Sequence, residues 1–129
     1  MKFAILAGAA LLAVATQPAR AQDAAAGEKV FAQCRACHQV GETAKNLVGP
    51  ILNGVIGQKA GTHEGYSYSA AMKESGLTWT EATFAEYIQN PRAKVAGTKM
   101  IYAGLKDEKR IADLLAYLKQ FDAAGKKAP

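Results

Sequence analysis

The chain has 129 residues, half of them hydrophobic and 21% charged, with a formal net charge of +5, two cysteines and two histidines. That length suits one small domain, and a core of this size would gain from a large rigid cofactor at its centre. Acids and bases are interleaved, no long basic run or nucleic-acid motif occurs, and a nucleic-acid binder is therefore excluded.

Met1–Ala21 has the build of a secretory signal peptide. Lys2 supplies the positive charge, Phe3 to Ala15 the apolar stretch and Ala19-Arg20-Ala21 the cleavage site. The apolar run is too short to span a bilayer comfortably, and no other stretch resembles a membrane span. Cleavage after Ala21 leaves residues 22–129 as the mature domain, exported to the periplasm. Losing Lys2 and Arg20 lowers the formal charge from +5 to +3, an excess suited to steering an acidic partner.

Asp23 to about Gln33 predicts a helix, with Gly27 and Phe31 four residues apart on one face, which suits a close helix crossing. "QCRACHQV" follows at residues 33–40. The stretch 41–65 holds six glycines and Pro50 and predicts loops, with one helical turn near Leu52–Ile56. Ser69–Ser75 predicts a short helix stopped by Gly76. In "TEATFAEYIQNP", Thr80 is the expected N-cap, Phe84, Tyr87 and Ile88 form one face, and Asn90-Pro91 ends the helix. A loop opened by Pro91 and loosened by Gly97 leads to Met100. The clearest helix is "DEKRIADLLAYLKQF", where Ile111, Leu114, Leu115, Leu118 and Phe121 follow the helical period. Gly125 is expected to close it and "KKAP" to fray. The pattern is all-α: three main helices, short ones, and loops that must wrap something.

Cys34-Arg-Ala-Cys37-His38 carries both thiols and one imidazole. A disulfide redox pair would open a helix after a strand, whereas "DAAAGEKVFAQ" is helical in composition. A four-ligand zinc site would need two more ligands, and only His63 is an obvious candidate. Covalent haem attachment by C-x-x-C-H needs the two thiols and the histidine on one turn, which the contiguous motif provides. Export, small size and only two cysteines favour haem. The other side of such an iron would need a second ligand for pure electron transfer. Met72 lies in a helical pattern and reads as core filler, and His63 in "GTHEG" reads as solvated. Met100, on an irregular loop, can place a thioether on a metal.

"CRACH", "VGPILNGVIG", "YSYSAAMKESGLTW" and "EYIQNPRAKVAGTKMIYAGLKDE" resemble, in that order, the class I cytochromes c, bacterial cytochrome c2 above all. The resemblance runs from Gly27 to Leu118. It implies one covalent haem c on Cys34 and Cys37, with His38 and Met100 as the metal ligands. It implies that the Pro50 carbonyl accepts the His38 Nδ1–H, that Tyr87 bonds near the Met100 sulfur, and that Tyr68, Trp79 and Thr98 bond haem propionates. Gly27, Phe31, Leu114 and Tyr117 would join the terminal helices. Lys45, Lys99 and Lys106, with Arg35 and Arg92, would ring the exposed haem edge.

The implied protein is a soluble, monomeric one-electron carrier rather than an enzyme. It would shuttle between a quinol-oxidising complex, or a periplasmic dehydrogenase, and a reaction centre or terminal oxidase, in photosynthesis or respiration. A haem peroxidase or gas sensor would instead need Met100 to leave the iron. Two positions depart from the family: Gln58 stands where an arginine is common, and Met72 where an asparagine is common. A neutral glutamine compensates a propionate less than an arginine does, favouring ferric haem and a lower potential. Lys59, next in the chain, can substitute.

Overall fold

The computed structural model describes residues 22–128. The signal peptide and its cleavage site lie outside the described residues. Among the described residues five α-helices follow one another: α1 (Ala24–Phe31), α2 (Ala70–Glu74), α3 (Glu81–Gln89), α4 (Pro91–Lys94) and α5 (Glu108–Leu118), with one 3₁₀ turn at Ala32–Cys34 after α1. Each α-helix starts at a side chain that satisfies a free backbone N–H. Asp23 accepts from Ala26 at 3.1 Å, Ser69 from Met72 at 3.1 Å, Thr80 from Thr83 at 3.1 Å, Asn90 from Ala93 at 3.3 Å and Asp107 from Arg110 at 3.0 Å. Asn90-Pro91 therefore ends one helix and also starts the next, since proline at the first helical position forgoes no needed donor.

α1 and α5 cross at Gly27, where a Cβ would lie 1.8 Å from the Asp113 carbonyl oxygen and 2.8 Å from the Tyr117 Cβ. The missing side chain lets the two backbones touch. Phe31 then packs on Tyr117, ring centres 5.4 Å apart. Phe31, Leu114 and Leu118 are among the most deeply buried side chains, each worth roughly 1.5–3 kcal/mol of burial. Asp113 closes the crossing: its carboxylate accepts the Asp23 N–H at 3.0 Å and the Lys109 ammonium at 2.6 and 2.8 Å. Those two partners hold the carboxyl below the usual aspartate range.

Among the described residues the only β-pairings are two isolated antiparallel bridges, Lys59 with Thr78 and Phe121 with Lys127. The first lays residues 57–60 against 77–79, through Trp79 N–H to Gln58 O at 2.9 Å and Ala60 N–H to Leu77 O at 2.8 Å. The second corrects the expected frayed end. α5 stops at Leu118, and the chain folds back so that Ala128 N–H reaches Gln120 O at 2.8 Å. Gly125, at φ 80°, makes that turn rather than closing the helix, and it sits where a Cβ would strike the Gly41 carbonyl. The helical turn expected near Leu52–Ile56 is absent. Successive turns with Gly54 at φ 62° and Gly57 at φ 96° run there instead, because glycines in the left-handed region break the helical repeat.

Candidate haem-binding site

The 3₁₀ turn after α1 delivers the cysteines. Cys37 N–H and His38 N–H both reach the Cys34 carbonyl, at 3.1 and 2.9 Å. Both thiols and the imidazole therefore stand on a single turn. They line a cavity of about 250 Å³ together with Met100 and Pro50. Cys34 and Cys37 are not joined to each other. Burial, then the neighbouring Cys37, pushes the Cys34 thiol up. Among the described residues no three His, Cys, Asp or Glu side chains gather as a zinc site would require.

His38 is buried, and its Nδ1 lies 2.7 Å from the Pro50 carbonyl. A carbonyl only accepts, so Nδ1 carries the proton and Nε2 keeps its lone pair. Burial pushes the imidazole pKa down, with the Pro50 bond opposing it, so the neutral ring is favoured. Gly49 packs flat on this ring: a Cβ there would lie 2.3 Å from Cε1 and 2.7 Å from Nδ1 and Nε2. Within "VGPILNGVIG", Gly49 carries no motif of its own. The available signal was a glycine directly before the proline that orients a buried histidine.

Thr98 and Met100 come from the loop after α4, and Tyr87 from α3. The Tyr87 hydroxyl meets the Thr98 hydroxyl at 2.6 Å, and Thr98 Oγ1 also accepts the Met100 N–H at 3.4 Å. Tyr87 thus reaches the Met100 segment through Thr98. Burial pushes the Tyr87 hydroxyl up despite that partner, so it stays neutral. Trp79 packs on Tyr87, ring centres 5.0 Å apart. Tyr68 also lines the cavity, and its hydroxyl accepts the His63 N–H at 3.2 Å. Gln58, Lys59 and the buried Met72 complete this side.

At the mouth, Val48 and Ile101 both line the cavity, yet they are 76% and 89% exposed. Of the expected rim cations, Lys99 lines the cavity and donates to the Ser67 carbonyl at 2.7 Å. Lys45 is exposed outside the lining, and Lys106 donates to the Gln89 carbonyl at 3.2 Å. Arg35 turns to the helix crossing, 5.2 Å above the Phe31 ring and 3.6 Å from Glu28. Arg92 is exposed on α4.

Two attachment thiols on one turn, a neutral histidine with one nitrogen free, a thioether and a largely apolar wall form a donor set that fits covalent haem. Comparison with known proteins agrees. A family model described as Cytochrome c matches residues 24–122. The chain is 58% identical to cytochrome c2 of Blastochloris viridis over 120 residues, 93% of this chain and 94% of that one. It is 56% identical to cytochrome c-554 of Methylosinus trichosporium over 123 residues, 95% of this chain and 93% of that one. The solved cytochrome cH from Methylobacterium extorquens superposes with a TM-score of 0.71 at 52% identity, covering 75% of this chain and 97% of that one. The chain belongs to the class I cytochromes c, close to the bacterial cytochromes c2. Its cofactor is covalently attached haem c, which the C-x-x-C-H at Cys34 and Cys37 fits, and its work is electron transport.

Proposed function

We propose that the chain is an exported, soluble, monomeric one-electron carrier of the periplasm, freed by cleavage after Ala21, and not an enzyme. Cys34 and Cys37 would hold the haem as thioethers, and His38 Nε2 and the Met100 sulfur would be the ligands to its iron. The observation that carries this reading is the 2.7 Å bond from His38 Nδ1 to Pro50, in a cavity that Met100 also lines. That bond leaves only Nε2 available to a metal and strengthens it as a ligand.

Bound haem c supplies a one-electron iron couple. The chain's own part is to hold, orient and dry it. The thioether is a soft neutral ligand that favours ferrous iron, and an apolar wall disfavours the extra ferric charge, so both raise the potential. Tyr68, Trp79 and Thr98 carry the polar tips proposed to meet the propionates. Exposed Val48 and Ile101, beside Lys99, form the edge proposed for docking. Brief, salt-sensitive contact with acidic redox proteins would follow. The donor proposed is a quinol-oxidising complex or a periplasmic dehydrogenase, and the acceptor a reaction centre or terminal oxidase. Among the described residues no helix is long and apolar enough to cross a membrane.

The test is the visible spectrum of the purified exported protein, oxidised and reduced, with and without carbon monoxide. A low-spin spectrum indifferent to the gas is expected, with Met100→Ala gaining a carbon monoxide shift. A shift in the unmutated protein would overturn Met100 ligation and move the peroxidase and sensor readings ahead.

A further inference from the structure

The segment 46–51 forms the wall against His38, yet it has no regular structure. Gly49 lies on the imidazole, and Pro50 holds its Nδ1 proton. Val48, just before them, is 76% exposed, so its own burial contributes little to fixing its peptide. Backbone bonds hold one end: Gly49 N–H donates to the Cys37 carbonyl at 2.9 Å, and Ile51 N–H to the Asn46 side chain at 2.8 Å. Leu47 N–H also reaches the Gly49 carbonyl, at 3.0 Å, and a further anchor comes from far along the chain. The Tyr66 hydroxyl donates to the Val48 carbonyl at 2.6 Å. Its ring is held in place edge-on to Tyr68, centres 4.7 Å apart. Asn46 Nδ2 also reaches the Glu64 carbonyl, at 3.5 Å. The 64–68 loop thus latches the histidine wall.

We infer that Tyr66 is a positioning residue for His38, acting through Val48, Gly49 and Pro50. This inference rests on the reading of His38 as an iron ligand. Tyr66 touches neither His38 nor Pro50 by any hydrogen bond among the described residues. It fixes the peptide from which the ring's contact and its acceptor both hang. A hydrogen-bonded Nδ1–H makes Nε2 a more electron-rich ligand, which favours ferric iron. Releasing Val48 loosens the Pro50 acceptor, weakens that donation and raises the potential.

The experiment compares Tyr66→Phe with Thr62→Ala in the haem-loaded protein. Phenylalanine keeps the ring pair and removes only the hydroxyl. Thr62 donates to Lys59 O at 2.6 Å nearby and makes no hydrogen bond to 46–51 among the described residues, so it controls for loss of an equal bond. The readouts are solvent exchange of the His38 Nδ1 proton by NMR and the midpoint potential. One hydrogen bond is worth about 1 kcal/mol, about fivefold in a local opening equilibrium. Exchange about fivefold faster in Tyr66→Phe, unchanged in Thr62→Ala, with a raised potential only in Tyr66→Phe, is the expected result. Exchange in Tyr66→Phe equal to the unmutated protein, or faster to the same degree in both variants, would overturn the inference whatever the potential does. The iron-ligand reading is judged separately: the unmutated oxidised protein must show His38 ring signals shifted by the iron. Their absence would sink that reading, while the exchange comparison still measures the latch.

Discussion

Gly49→Ala tests whether the histidine wall is as tight as the structure shows. The backbone of Gly49 is outside the left-handed region, so alanine meets no backbone strain and the effect is purely steric. The new Cβ would stand 2.3 Å from His38 Cε1, against 3.4 Å for the start of ordinary contact. Ring and segment must separate by about 1.1 Å, the difference between those two distances. The His38–Pro50 bond is 2.7 Å long and tolerates a stretch of only about 0.5 Å before leaving the normal range. It breaks, which costs about 1–3 kcal/mol for polar groups left buried without partners. Overpacking adds about 1–3 kcal/mol, offset by about 0.4–1 kcal/mol from a stiffer unfolded chain. The net loss is about 3 kcal/mol, a fall in melting temperature on the order of 15 °C for a domain of this size. Thermal unfolding of the haem-loaded protein, followed by visible absorbance, measures it. Val48→Ala, next in the chain and exposed, is the control and should stay within about 0.5 kcal/mol. A Gly49→Ala protein as stable as that control would refute the reasoning.

Three further outcomes follow from other parts of the molecule. Gly27→Ala gains about 1 kcal/mol of helix propensity yet should lose about 2 kcal/mol net in guanidinium unfolding, because the atom it meets is a backbone carbonyl that cannot rotate away. Asp113 has a folded-state pKa below its unfolded value near 3.8. Its stabilisation is therefore present above that pH and lost as pH falls through the lower folded value. The melting temperature of Asp113→Asn should trail the unmutated protein at neutral pH, and the gap should close in acid; a gap independent of pH would contradict this. Gln58→Arg, on a residue lining the cavity, should raise the midpoint potential by compensating a propionate anion. No rise in a redox titration would remove Gln58 from the account.

Much of the site was legible in the chain itself, and the reason is distance along it. C-x-x-C-H closes within one turn, so its hydrogen bonds to the Cys34 carbonyl depend on spacing alone. The face of α5 follows from a 3.6-residue period, and the starts of α2 and α3 follow from Ser69 and Thr80 finding backbone N–H groups three residues on. Gly27 was readable because it and Phe31 share a face before any partner is known. Tertiary structure decided what spans loops. Gly49 meets the ring of His38, Tyr66 meets Val48 eighteen positions away, and Tyr87 finds Thr98. The tail pairs with Gln120–Asp122 instead of fraying because Gly125 fits against Gly41, far off in sequence. A periodic pattern records which way a residue faces, because a helix repeats its geometry. Irregular loops have no repeat, so the partner of a loop carbonyl is set only when the whole chain closes.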